Sequence, residues 1–331
     1  MSLARLAGTV VCAVMLVASG AVAAALLNAE LDAFARQAAA KHKLELSSVR
    51  EVLALAHHEQ RVLDAYKRTA ESKPWFEYRQ IFLTESRIKA GAEFWRHHEA
   101  LLERAEATYG VPKAVLVAIL GVETHFGERQ GNIRVIDALV TLAFNYRKRA
   151  RFFKRELEQF LLLAAQGNVE PGSVQGSYAG AMGIPQFIAS SYRAYSVDFD
   201  GDGKRDLLGS VADAVGSVGN YLARHGWRRG EPIAGAAVFS SKGVRSIAAK
   251  GHKPHTTLRA LVKAGVRPAP WPDLPSETGA ALVELQARDG PRYWVTLKNF
   301  YVITRYNHSP LYAMAVAQLA QAIEAEREVA R

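Results

Sequence analysis

The chain has 331 residues, 49% hydrophobic and 22% charged, with a net charge of +10 and one cysteine. That length can bury one large or two ordinary cores, and an ordinary composition without repeats or low-complexity tracts excludes a disordered or fibrous chain. The lone Cys12 falls in an apolar leader, so a mature chain would hold no disulfide and do no thiol chemistry; the positive charge calls for anionic company, whether nucleic acid, anionic lipid or a negatively charged wall polymer.

Residues 1–25 read as a signal peptide. Arg5 gives a short positive start, Leu6 to Val17 is apolar, and Ala21-Val22-Ala23 offers a small-x-small cleavage site. Ala24 to Leu27 blurs the end of the apolar run, so an uncleaved N-terminal anchor is the alternative. Cys12 follows Val10-Val11 rather than a small residue, and lipidation is not expected. Residues 26–110 read as a helical domain. Leu27 to Ala35 has amphipathic spacing, Ser47-Ser48 can cap a helix to about Ala56, and Thr84-Glu85-Ser86 opens another expected to run to Tyr109.

Residues 111–227 hold the chemical signals. Pro112 suits the opening of a helix, and Leu116, Ile119, Leu120 and Glu123 then share one face. Glu123 therefore continues the apolar stripe, and Gly127 reads as the helix stop. A carboxylate there is partly desolvated and sits at the negative end of the helix dipole; both effects raise its pKa. An acid still protonated near neutral pH suits general-acid work. Taken alone, an acidic residue in such a place more often caps a neighbouring helix or pairs with an arginine.

Ile133 to Asn145 and Arg149 to Gln166 follow as helices, with Arg147-Lys148-Arg149 and Arg151 as a solvated basic face. Residues 167–186 are Gly-rich and predicted as loop. Within them Gly176-Ser177-Tyr178-Ala179-Gly180-Ala181-Met182-Gly183 and Pro185-Gln186-Phe187 let a bulky chain ligand come close and offer it Ser177 and Gln186. Ser177 has no His/Asp partner at nucleophile-elbow spacing, which argues against a serine hydrolase. A short helix is predicted near Ala189 to Tyr195 and a longer one from Ala212 to His225.

Between these helices Asp198-Phe199-Asp200-Gly201-Asp202-Gly203-Lys204-Arg205-Asp206 fits the start of an EF-hand loop, with acids at positions 1, 3, 5 and 9 and the turn glycine at 6. Position 12 is Gly209, so a lengthened loop, 198–213, closed by Asp213 is expected. One structural Ca2+ would be held by Asp198, Asp200, Asp202, the Lys204 carbonyl, Asp206 and Asp213. The alternative is a metal-free cluster of Asx turns.

After Gly226 prolines cluster at 268, 270, 272 and 275, and tryptophans stand at 227 and 271. Ala281 to Leu285 and Tyr293 to Leu297 read as strands joined through Asp289-Gly290, giving a small β subdomain over 228–298. The last segment, 299–331, contains a helix from Ser309-Pro310 to about Glu326. His57-His58, His97-His98, His252 and His255 lack ligand spacing for zinc and are expected at the surface.

Taken together, Gly121-Val122-Glu123-Thr124, Gly176 to Gly183 and Pro185-Gln186-Phe187 resemble the lytic murein transglycosylase B family. Trp75-Phe76-Glu77-Tyr78-Arg79, Ala143 to Arg147, Asp198 to Asp206, Gly219 to Leu222 and Asn299 to Asn307 continue the likeness in the family's order, over about residues 30–325. The resemblance implies a mainly α (α+β) fold: a lysozyme-like catalytic core, a helical domain and a small inserted β subdomain, with 299–331 returning to the active-site cleft. It implies Glu123 as the single catalytic acid/base, Tyr78, Tyr221, Tyr306 and Tyr312 lining a sugar groove, and Phe152 at a matching aromatic position. Ser177, Gln186 and Asn307 would hold the substrate's N-acetyl and hydroxyl groups.

The expected activity is therefore scission of the β-1,4 bond between N-acetylmuramic acid and N-acetylglucosamine in peptidoglycan, leaving 1,6-anhydro ends. The alternatives are a lysozyme-type hydrolytic muramidase and a non-enzymatic protein that binds the wall or nucleic acid through its charge. The expected setting is the periplasm, with glycan strands as partner, cell-wall synthases as further candidates, no nucleic acid, membrane contact only through an uncleaved N-terminus, no organic cofactor, and a monomer.

Overall fold

The computed structural model describes residues 28–66, 73–239, 244–268 and 274–329. The expected signal peptide, Cys12 and the Pro270-Trp271-Pro272 run lie outside the described residues. Among them no single helix is long and apolar enough to cross a membrane.

In chain order the elements are helices α1 (28–42), α2 (Leu46–Ala54), α3 (Gln60–Ala65), α4 (Trp75–Phe82), α5 (Glu85–His97), α6 (Glu99–Tyr109) and α7 (Lys113–Thr124). Strand β1 (Ile133–Arg134), α8 (Val135–Asn145), α9 (Ala150–Ala165), β2 (Gln175–Gly176), α10 (Ala189–Tyr195) and α11 (Val211–Arg224) follow. The remainder is β3 (Ala234–Phe239), α12 (Val244–Ala248), β4 (Thr256–Thr257), α13 (Leu258–Lys263), β5 (Val266–Pro268), β6 (Gly279–Ala287), β7 (Gly290–Thr296), α14 (Lys298–Tyr306) and α15 (Pro310–Val329). The fold is mainly helical with a small β sheet, as expected.

The contacts divide the chain into two units, the first formed by residues 1–64 and 132–180, the second by 65–131 and 181–331. In the first unit α8, buried from Val135 to Ala143, packs along α9. The Phe34 ring meets Phe144 edge-on with centroids 5.9 Å apart. A buried acid organises the entrance to α8: Asp137 accepts the His57 backbone N–H at 2.7 Å and two Arg134 guanidinium N–H groups at 2.8 Å. Pairing both oxygens makes that burial tolerable.

In the second unit α7 is the central element, buried continuously from Ala114 to Gly121. Helices α15, α5, α6 and α11 pack around it. Such an all-round apolar helix is what a core interior requires. The sheet of this unit runs β4-β6-β7-β3-β5, all antiparallel. Its β6–β7 hairpin pairs Ala281 with Thr296 through Ala287 with Gly290, and Leu261, Val266, Leu282, Val295 and Leu297 fill its core.

Several sequence-level expectations are corrected. The helix expected from Thr84 to Tyr109 breaks at His98 (φ −118°, ψ 27°), whose ring packs on Phe94 at 4.5 Å. Burial there also lowers the His98 pKa, and His252 is likewise half-buried, so neither is a plain surface histidine. Ile133–Arg134 is extended rather than helical, because it pairs with Gln175–Gly176 inside the stretch expected to be loop. Strands β3, β4 and β5 lie outside the two strands expected: β3 is Ala-Gly-rich and the other two are very short, so none carries a strong alternation.

Candidate active site

The acid-bearing helix ends earlier and more tightly than its glycine suggested. His125 and Phe126 both adopt left-handed φ (53° and 63°) ahead of Gly127 (100°). This folds the Phe126 ring back over the helix, where a Cβ on Gly121 would lie 2.8 Å from it. Gly121 thus leaves the room that lets the chain turn directly after Glu123-Thr124. Thr124 fixes the turn: its hydroxyl accepts the Gly127 N–H at 2.9 Å and donates to the Ile184 carbonyl at 2.7 Å.

That carbonyl belongs to a tight hairpin. Met182 and Phe187 form an antiparallel bridge, and Gly183 (φ 76°) and Gln186 (φ 51°) are both left-handed between them. The Ile184 N–H donates to the Leu207 carbonyl at 2.8 Å, and the Tyr306 hydroxyl donates to the Pro185 carbonyl. Gln186 is held by its amide, which donates to the carbonyls of Gln130 (2.9 Å) and Gly183 (3.0 Å). Backbone groups of the hairpin are therefore tied to the end of α7 and the end of α14.

Glu123 sits against these elements, partly exposed at its edge. Its Oε1 accepts the Tyr312 hydroxyl at 2.5 Å. Burial pushes the carboxyl pKa up to about 7, while the Tyr312 bond pulls the other way. Burial and the Tyr312 hydrogen bond are thus the two influences on this proton. Burial and the nearby Glu123 charge in turn hold Tyr306 and Tyr312 well above the ordinary phenol range, so both hydroxyls stay protonated donors.

The expected aromatic residues assemble here. Tyr306 stacks on Tyr312 with centroids 6.3 Å apart and 11° between planes, and Tyr221 meets Tyr306 edge-on at 5.0 Å. Tyr221 donates to the Arg305 carbonyl and stacks on His225 at 4.1 Å. Tyr78 is buried, packed on Trp75 and Phe82, and near enough to act electrostatically on Tyr312. Asn307 ends α14 directly after Tyr306 and is half-buried. The structure thus brings Glu123, Gln186, Tyr78, Tyr221, Tyr306, Asn307 and Tyr312 into one unit.

Ser177 and Phe152 belong to the other unit. There Ser177 Oγ accepts the Ala179 N–H at 3.2 Å, and the Phe152 ring carries the Arg149 guanidinium 4.3 Å from its centroid. Sequence reasoning missed Thr124 as the link between acid and hairpin. A hydroxyl directly after the acid, at a helix end, was the available signal.

The acidic loop, in the same unit as Glu123, forms a partial cage. Oxygens of Asp198, Asp200 and Asp202 lie within 4.8 Å of one another. Asp198 accepts the N–H groups of Gly201 (2.7 Å) and Gly203 (2.9 Å), wrapping the loop around itself. The Ser210 hydroxyl, 2.7 Å from Asp200, holds that carboxyl below the usual carboxylate range. Asp206 instead accepts the Leu208 and Gly209 N–H groups. Asp213, fully buried, spends both oxygens on the Phe199 and Asp206 N–H groups at 2.7 Å, and burial raises its pKa.

The chain is similar to known proteins along most of its length. Residues 27–321 match the family model described as the transglycosylase SLT domain. The chain is 41% identical over 297 residues to membrane-bound lytic murein transglycosylase B of Escherichia coli strain K12, covering 87% of this chain and 80% of that one. Soluble lytic transglycosylase SltB1 from Pseudomonas aeruginosa superposes with a TM-score of 0.85 at 43% identity, over 90% of this chain and 99% of that chain. The Escherichia coli lytic transglycosylase Slt35, solved in complex with calcium, gives 0.80 at 40% identity, over 90% and 93% of the two chains. With a family match that spans nearly its whole length and a relative 41% identical over 297 residues, the chain belongs to the transglycosylase SLT domain family.

Proposed function

We propose that the protein is a peptidoglycan lytic transglycosylase that cuts the β-1,4 bond between N-acetylmuramic acid and N-acetylglucosamine with Glu123 as its only acid/base. Glu123 donates its proton to the glycosidic oxygen as the bond from the muramic C1 breaks. The resulting carboxylate then takes the proton of the same sugar's C6 hydroxyl as that oxygen bonds to C1. A 1,6-anhydro ring closes, Glu123 is again protonated, and no water is consumed. Glycosidases that use water or a covalent intermediate need a second carboxylate; attack from within the sugar replaces it by proximity.

The observation that carries this reading is Glu123 itself: a desolvated carboxyl whose pKa is raised to about 7 and whose Oε1 accepts the Tyr312 hydroxyl. Tyr306 and Asn307, both partly exposed, would meet the sugars together with Gln186, backed by the buried rings of Tyr78, Tyr221 and Tyr312; Ser177 and Phe152 stay substrate-binding candidates on the resemblance alone. Digestion of purified sacculi followed by mass spectrometry tests the activity. Muropeptides one water lighter than hydrolysis products are expected; ordinary reducing ends would make the protein a hydrolytic muramidase instead.

Tyr312→Phe tests the proton inventory. Its bond lowers the Glu123 pKa, so without it the alkaline limb of kcat against pH is expected to move to higher pH. The rate at pH 6 should fall by about tenfold through looser positioning of the carboxyl. A limb that stays in place would detach Tyr312 from the acid.

For the acidic loop we assign one structural Ca2+, held by Asp198, Asp200, Asp202 and the Lys204 carbonyl, with Asp206 and Asp213 bracing the loop from behind. Three converging carboxylates fit a hard divalent ion, and a relative has been solved with calcium. Saturating calcium is expected to stabilise the protein by about 2–3 kcal/mol at a hundredfold excess over Kd, read as a rise in Tm that chelator reverses. Asp200→Asn together with Asp202→Asn should abolish that rise, and a Tm indifferent to calcium would remove the assignment. The place of action is the periplasm, where this polymer lies and to which residues 1–25 would direct the chain.

A further inference from the structure

The second unit contains a cavity of about 1070 Å3 that is not lined by Glu123 or by any of its hydrogen-bond partners. Helix α4 forms one wall with Phe76 and Arg79; the β6–β7 turn and strands β3 and β7 form the others with Arg288, Arg292, Phe239 and Trp294. Arg292 is paired with Asp289 of the same turn. Arg79 and Arg288 are exposed and make no ion pair among the described residues, and the Arg288 guanidinium lies 5.8 Å from the Phe76 centroid. Flat aromatic surface with unspent guanidinium groups recognises a ligand that carries carboxylates on an alkyl or peptide frame. A neutral glycan would give these cations nothing to neutralise, and a nucleic acid needs a longer cationic track than two unpaired arginines supply.

The cavity also draws on helices that carry residues of the acid site. Arg79 follows Tyr78 on α4, and Tyr78 acts electrostatically on Tyr312. Gln318 lines the cavity from α15, six residues after Tyr312, a rise of roughly 9 Å along that helix. The cavity and the acid site thus share helices α4 and α15. Resting on the function proposed above, we infer that the cavity binds the carboxylate-bearing peptide stems of the wall polymer, gripping them through Arg79 and Arg288.

The test uses full-length protein carrying Glu123→Gln, so that binding is read without cutting. Its affinity is measured by co-sedimentation with intact sacculi and by pull-down on glycan strands stripped of their stems by an amidase and then amidated at the freed lactyl carboxylates, which makes them neutral. Adding Arg79→Ser and Arg288→Ser is expected to weaken binding to intact sacculi by about fivefold to tenfold, leaving stripped glycan binding and the Tm unchanged. With Glu123 restored, the same pair of substitutions should leave the release of anhydro ends from stripped strands at the parental rate. Unchanged binding to sacculi, or an equal loss on both polymers, would overturn the assignment. Failure of the parent to bind either polymer would instead strike the proposed function itself.

Discussion

Glu123→Gln is expected to lower kcat on sacculi by about 10^4, the upper range for loss of a general acid/base, while the fold persists. Gln keeps the size of the side chain and an oxygen that can accept the Tyr312 hydroxyl, so positioning survives and only the proton is lost. Stability supplies a second readout with a definite sign. The folded carboxyl titrates at about 7 against an ordinary 4.5. As pH rises from 4.5 to 7 the unfolded chain gives up this proton while the folded one keeps it, so folding loses stability across that window and levels off above it. The loss is on the order of 3–4 kcal/mol at about 1.4 kcal/mol per pKa unit. Glu123→Gln removes that cost, and the variant should melt higher than the parent at pH 8 and no higher at pH 4.5. Thermal melts at the two pH values check this. Equal melting temperatures at pH 8 would mean the carboxyl is not desolvated.

Gly183→Ala is expected to destabilise the second unit by about 3–4 kcal/mol, combining left-handed strain with a steric clash. The residue sits at φ 76°, and an added Cβ would fall 2.3 Å from the Leu207 carbonyl oxygen, a backbone atom that cannot swing aside. The same carbonyl accepts the Ile184 N–H, so relieving the clash would tear the 182–187 hairpin from its support. Gln186 and the two carbonyls that receive Thr124 and Tyr306 would move with it. A drop in Tm of about 10 °C is expected, with activity lost at temperatures where the variant is still folded. A variant with parental Tm and rate would show that the hairpin does not need this geometry.

Without the family resemblance, which named Tyr306 and Tyr312 beside Glu123, the residues made only local features legible. The helix bearing Glu123 could be read because Pro112 and an unbroken apolar run mark it within a dozen residues. The acidic loop and the β6–β7 hairpin could be read because the aspartate spacing of the one and the Asp289-Gly290 turn of the other are contiguous. The contacts that turn Glu123 into a site are not contiguous. Tyr312 lies 189 residues from Glu123, and Tyr306 lies 121 from Pro185; periodicity carries no information across such distances. The helix stop was misplaced because glycine is the usual left-handed residue. Here His125 and Phe126 take that conformation two steps earlier, paid for by the Phe126 ring packing over Gly121 and Phe94. Asp213 shows the same limit. Its place after the loop suggested a ligand, but only its depth shows that its oxygens serve two backbone N–H groups.

The central claim is that one carboxyl serves both halves of the cleavage and that the attacking oxygen belongs to the sugar. Digesting purified sacculi in heavy-oxygen water and weighing the new ends tests it most directly. Ends free of the heavy isotope and one water lighter than hydrolysis products are expected, formed by the parent and absent with Glu123→Gln. Heavy oxygen at the newly formed anomeric carbon would contradict the account, because water would then be the nucleophile and a second base would have to activate it.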